Sequence, residues 1–351
     1  MKREARTAYL FASPWFVGFA LFLAYPLGAS LYYSFCDYSV LRPPVWIGFL
    51  NFRNLAGDEV FWTSLRNTAV YAAMAIPLGM LTALSLALLL NTRVRGMTVY
   101  RTIFFLPSLV PTIPLAVLWL WVFNGEHGIL NFALEYAPAA LILALPTLVG
   151  VVVAGTLLSR GRTVAGNVAV AAAVVIAAAS AWLAFGPPDW MQRLHGVIRL
   201  PTPNWLSDTA WSKPALALMA LWGAGNAMVI YLAGLQDVPT EMYEAAELDG
   251  AGWWARTRNV TVPFVSPVIL FNGIMSIIGA LQVFAEPYVM FPGGSPARST
   301  YFYTMYLFDN AFIYHKMGYA CAMGWIMFLI ILCLTMLALR LSERHVHYQG
   351  G

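Results

Sequence analysis

Long apolar stretches separated by short polar ones dominate this chain. Eight of them reach the roughly 20 residues that a helix needs to cross the hydrocarbon of a bilayer. They are Tyr9–Tyr33, Asn67–Leu90, Thr102–Phe123, Ala139–Leu158, Val164–Gly186, Ala215–Gln236, Phe264–Val289 and Met317–Leu339. Glu286 is the only formally charged residue inside them. A transmembrane barrel would show short segments of strict alternation instead. The pattern therefore predicts an all-α polytopic membrane helical bundle with eight transmembrane helices. The first stretch follows Lys2, Arg3 and Arg6, as a signal peptide's would. Its apolar run is too long for an h-region and no small-x-small site closes it, so it is predicted to span.

Lys and Arg orient the bundle, because they concentrate on the cytoplasmic side. With the N-terminus inside, the inner segments carry Arg93, Arg95, Arg101, Arg160, Arg162, Arg256, Arg258, Arg340 and Arg344 as well as the three N-terminal cations. That is twelve of the 20 basic residues on the smaller share of the connecting chain. Both termini are thus placed in the cytoplasm. Composition agrees: 60% of residues are hydrophobic and 10% charged, against about a quarter charged in a soluble domain. A net charge of +4 without a concentrated basic face gives no footing for nucleic acid. Cys36, Cys321 and Cys333 form neither a metal-ligand spacing nor a disulfide framework.

The polar segments divide the chain. Residues 1–66 hold the first helix and an outer loop, and 67–345 the remaining spans. The outer connections 34–66 and 187–214 are rich in Pro and Trp, which suits structured surface with interfacial anchors. The informative segment is the cytoplasmic loop 237–263. Thr240 is a candidate cap for a first short helix through Glu241 and Glu244. Asp249-Gly250-Ala251-Gly252 breaks that helix, and Asp249 is a candidate cap for a second through Trp253, Trp254 and Arg256. Small residues (Ala245, Ala246, Gly250) allow close approach, so the two helices either dock into a groove on a partner or lie as an amphipathic interfacial loop.

Glu244-Ala245-Ala246-x-x-Asp249-Gly250-Ala251, with Pro263 after eleven intervening residues, resembles the EAA motif of permease subunits from binding-protein-dependent ABC importers. Other blocks resemble the carbohydrate branch, on the maltose/glycerol-phosphate side, and run in order over nearly the whole chain. They are Asn67-Thr68, Pro77-Leu78-Gly79, Leu88–Asn91, Arg101 with Phe104–Pro107, Pro203–Leu206, Leu232–Gln236, Pro292–Pro296 with Ser299-Thr300, and Met317–Ala320. The resemblance implies a permease domain over 67–345 whose loop 237–263 docks on a cytoplasmic ATPase, with Glu244, Ala245, Ala246, Asp249 and Gly250 as contact positions. Ala255 and Thr257 depart from that pattern. It further implies a sugar or sugar-like solute, an extracytoplasmic solute-binding protein, a second homologous permease subunit, two ATPase subunits and a prokaryotic inner membrane. Such permeases usually have six spans. The extra two fall in an insertion at about 138–187, expected to be a peripheral hairpin with Arg160 and Arg162 at its cytoplasmic tip.

No catalytic site is expected. Lys2, Lys213 and Lys316 complete no phosphate loop, so ATP would be used by partner subunits and no cofactor or metal bound by this chain. His345 and His347 in the tail are expected to be solvated. The rival reading is an ion-coupled secondary transporter or channel subunit, which would place several titratable groups at mid-membrane; the spans hold only Glu286, near the outer end of the seventh. Asn272, Ser276, Gly279, Gln282 and Glu286 recur every three or four residues and predict a polar helical face. Trp222 and Asn226 lie one turn apart on the sixth span. These groups either line a solute pathway or glue helices together.

Overall fold

The computed structural model describes residues 2–92, 94–135 and 202–342, with positions 170, 172 and 175 between them. The predicted spans Ala139–Leu158 and Val164–Gly186, the hairpin tip and the His345/His347 tail lie essentially outside the described residues. Among the described residues, four helices are long and apolar enough to cross a membrane: Phe11–Ser34, Glu59–Leu90, Ser266–Met290 and Met317–Ser342. Two further pairs each qualify as one broken span. The fold is mostly helical, as predicted, with one exception among the described residues. Cys36–Ser39 and Arg42–Trp46 form an antiparallel hairpin in the first outer connection. Val45 and Trp46, β-branched and aromatic, suit a pleated surface.

The broken pairs correct two predicted straight spans. Met97–Leu109 meets Thr112–Val122 at 98°. The cause is local: Val110 precedes Pro111, whose ring disfavours the helical region for its predecessor, and Val110 is extended (φ −71°, ψ 127°). Ser212–Trp222 meets Gly225–Gln236 at 49° across Gly223-Ala224. The seventh span is also interrupted. Ser266–Leu281 ends at Gln282, Phe284 turns aside (φ −139°, ψ −57°), and Ala285–Met290 resumes.

The chain forms two compact units, 1–116 with 216–351, and 117–215. In the first, Glu59–Leu90 packs against Gly225–Gln236 and Ser266–Leu281, while Met317–Ser342 packs against Tyr25–Ser34 and Ser266–Leu281. Small residues make this possible, since without a hydrophobic drive in lipid, helices associate by close packing. Ala83 and Ala87 meet Met228, Tyr231 and Leu235 in one cluster; Ala72 and Ala322 join Leu55, Phe61, Tyr303 and Met323 in another. Large side chains such as Phe11, Trp15 and Phe22 stay exposed on the first helix, as suits a lipid-facing surface. At Gly318 a Cβ would lie 2.1 Å from the Cys36 carbonyl oxygen, so only glycine lets the last helix seat against the outer hairpin.

In the second unit, two blocks more than 70 residues apart in sequence are joined. Trp205 is buried and donates its indole N–H to Asn131 Oδ1 at 2.7 Å, while Asn131 Nδ2 reaches the Gly125 carbonyl at 3.0 Å. Trp205 is therefore an internal strut rather than an interfacial anchor.

Candidate functional site

The loop 237–263 folds as two short helices, Thr240–Leu248 and Trp253–Arg256, followed by a wide turn over Thr257–Thr261. The first helix ends in a Schellman motif. Gly250 N–H bonds the Glu247 carbonyl at 3.0 Å and Ala251 N–H the Ala246 carbonyl at 2.9 Å. Gly250 sits at φ +75°, the left-handed conformation that motif demands. A Cβ there would meet nothing within 4 Å, so glycine serves conformation rather than clearance. Both candidate caps are corrected. Pro239 precedes the first helix, with Thr240 already helical, and Gly252 precedes the second, with no side-chain cap at either. Asp249 is the residue on which the first helix stops.

The motif residues divide by face. Ala246 and Tyr243 are half-buried, and Tyr243 with Val260 packs against the cluster of Leu235, Val238 and Val265. Tyr243 Oη lies 3.1 Å from Thr261 Oγ1, and Arg256 pairs with Glu247 at 3.4 Å, so both helices are tied down. Glu244, Ala245, Asp249 and Gly250 face outward. Around them stand Leu248, 89% exposed, Trp253 and Trp254, 62% and 70% exposed. Tied beneath and apolar above, the turn presents a preformed surface of the kind that marks an interaction site.

A second feature lies within the bundle. A cavity of about 530 Å³ opens between Glu59–Leu90, the helices flanking Gly223, and the interrupted seventh span. Ser276, Gln282 and Glu286, three members of the predicted polar face, line it together with Gly279. The face is not one continuous helix, because the chain breaks at Gln282–Phe284 between Ser276 and Glu286. Asn272 is brought elsewhere: it is buried and its Nδ2 bonds the Val268 carbonyl at 3.1 Å. Trp222 and Asn226 do not line the cavity either; their neighbours Gly223, Ala224 and Ala227 do. Asn226 instead accepts the Ser108 hydroxyl at 3.4 Å. Tyr71 and Thr112 are lining groups that sequence reasoning missed, each a single polar position in an apolar run with no periodicity to mark it.

At the outer end, short sequence blocks meet one another. Asn67 Nδ2 bonds the Arg298 and Tyr301 carbonyls at 2.8 and 3.2 Å, and Thr68 Oγ1 accepts the Tyr303 N–H at 2.9 Å. Asp58 caps Glu59–Leu90 through the Val60 and Phe61 N–H groups and accepts the hydroxyls of Tyr306 at 2.5 Å and Tyr319 at 2.6 Å. Burial works to raise the Asp58 pKa, but these four donors outweigh it and hold the carboxyl below its usual range. Burial, then the hydrogen bond to the Asp58 carboxylate, pushes Tyr306 up to about 12.

The family profile described as binding-protein-dependent transport system inner membrane component matches residues 75–347. The probable ABC transporter permease protein YesP of Bacillus subtilis (strain 168) is 32% identical, covering 100% of this chain and 94% of that protein. The arabinooligosaccharides transport system permease protein AraP of the same organism is 28% identical over 95% of this chain and 88% of its own length. Among solved structures, a bacterial alginate ABC transporter in complex with an alginate pentasaccharide-bound periplasmic protein superposes with a TM-score of 0.70 at 19% identity. The match covers 97% of this chain and 96% of that one.

Proposed function

The chain belongs to the inner membrane components of binding-protein-dependent transport systems, and from that membership we propose that it forms half of the solute pathway of an ATP-driven importer. The solute is a sugar or sugar-like molecule delivered by an extracytoplasmic binding protein. AraP and the alginate transporter, by their descriptions, handle saccharides, which supports this class. A second homologous permease completes the pathway and two ATPase subunits drive it. Eight spans with both ends in the cytoplasm, in a prokaryotic inner membrane, complete the arrangement.

The observation that carries the reading is the exposed turn Thr240–Arg256. An ion-coupled carrier has no use for a rigid apolar knob outside the bundle, whereas a subunit that receives work from an ATPase requires one. Glu244, Ala245, Asp249 and Gly250 would contact the ATPase, and Ala246 would support them from below. The cavity with Ser276, Gln282 and Glu286 is the proposed pathway segment. Asn272, Trp222 and Asn226 lie outside it. The test is affinity purification of the tagged chain from its native membrane. An ATPase subunit should co-purify, and Leu248→Asp, at an 89% exposed site, should cut its yield about tenfold without changing insertion. Recovery of the chain alone, with solute uptake driven by an ion gradient, would favour the secondary-transporter reading.

A further inference from the structure

Among the described residues, the cavity lining holds one charge and no opposing one. Among the described residues that line it, Glu286 is the only carboxylate, and none is Lys, Arg or His. Glu286 is half-buried and makes no hydrogen bond or ion pair to another described residue. Tyr71 also borders the cavity, although it is only 6% exposed. Its ring packs against Phe302 at 5.4 Å, and its hydroxyl has no hydrogen-bond partner among the described residues. A carboxylate kept in an apolar bundle for structure would be paired, because an isolated buried charge is costly. This one faces open space beside an unpartnered hydroxyl and the Gln282 amide.

Resting on the permease reading above, we propose that this cavity selects by charge. It admits sugar units that are neutral or carry an amino group, and turns away those carrying a uronate, sulfonate or phosphate, with Glu286 as the discriminating group. Sugar hydroxyls donate to the carboxylate in charge-assisted bonds, and the Tyr71 hydroxyl and Gln282 amide serve the remaining positions. An anion entering the same space loses water and meets a like charge across a low-dielectric wall. Among the described residues of the lining, no cation offsets that repulsion.

Saturation-transfer NMR on the purified transporter complex in nanodiscs tests this with three probes of equal length. They are maltotriose, fully deacetylated chitotriose and trigalacturonate. In the parent complex the first two should bind at least tenfold more tightly than trigalacturonate at low salt, and about 1 M salt should shrink the gap by screening. Glu286→Gln should bring trigalacturonate to within about twofold of maltotriose. Equal binding of trigalacturonate by the parent, or an unchanged ratio in the variant, overturns the proposal. So does absence of signal from all three probes, since the cavity would then take no saccharide. An ATPase that still co-purified in that case would leave the permease reading standing.

Discussion

Asp58 joins the start of the helix it caps to Tyr306 and to Tyr319 on the last helix, 248 and 261 residues further along the chain. Its carboxyl pKa lies below the unfolded value, so its contribution is fully present above the usual carboxylate range. It is lost as pH falls through the folded pKa. Asp58→Asn should therefore lower thermal stability at pH 7 by about 1–2 kcal/mol, a low figure because the site is only half-buried. The gap to the parent should start to narrow below about pH 4, where the unfolded carboxyl takes up a proton, and close as pH falls further through the lowered folded pKa. Thermal unfolding in detergent from pH 7 to pH 3 measures both. A gap that stayed constant with pH would mean that the tyrosines respond to shape and not to charge. Little of this was legible in the sequence. Asn67-Thr68 and Pro292–Thr300 stand out as short blocks, but nothing local says that one binds the other across 231 residues. Such partnerships are made by tertiary packing, to which period and composition are blind.

Elements were more legible than their joints. Hydropathy finds a span because burial in lipid averages over about 20 residues, and the same averaging hides a bend. The 98° turn was written in Val110-Pro111, a local signal inside an otherwise uniform run. The turn at 240–256 was legible for the opposite reason: its polar residues, its glycine and its helix formers each act locally. Even so, the role of Gly250 changes. With open space around its Cβ position and φ +75°, a substitution is penalised through conformation, by about 1–2 kcal/mol for an ordinary L-residue. Asn tolerates that region and β-branched residues do not. Gly250→Asn should thus keep solute-stimulated ATP hydrolysis near the parent level, while Gly250→Val should lower it severalfold with insertion unchanged. Equal loss in both variants would place the effect in contact with the ATPase instead.

For the whole molecule, the proposed orientation places Gly161 and the C-terminal tail in the cytoplasm, on the same side as the turn. Cysteine substituted for Gly161 should react with a membrane-impermeant maleimide in inside-out vesicles and not in right-side-out ones. Reaction from the outer side would remove two spans from the proposed eight. Across the first unit, rigidity is distributed unevenly. The outer hairpin, Asn51 with its bonds to the Ser34 and Cys36 carbonyls, and Gly318 seated on Cys36 form a block with no room for sliding. The wall of the cavity is different. A continuous helix can only swing as a rod, moving both its ends, but the seventh span is articulated at Gln282–Phe284. A few degrees of torsion at that joint would re-aim Glu286 while Ser276 stayed fixed. In mechanical terms the chain pairs a stator with a hinged paddle, and the paddle carries Glu286, the only charge among the described residues that line the cavity.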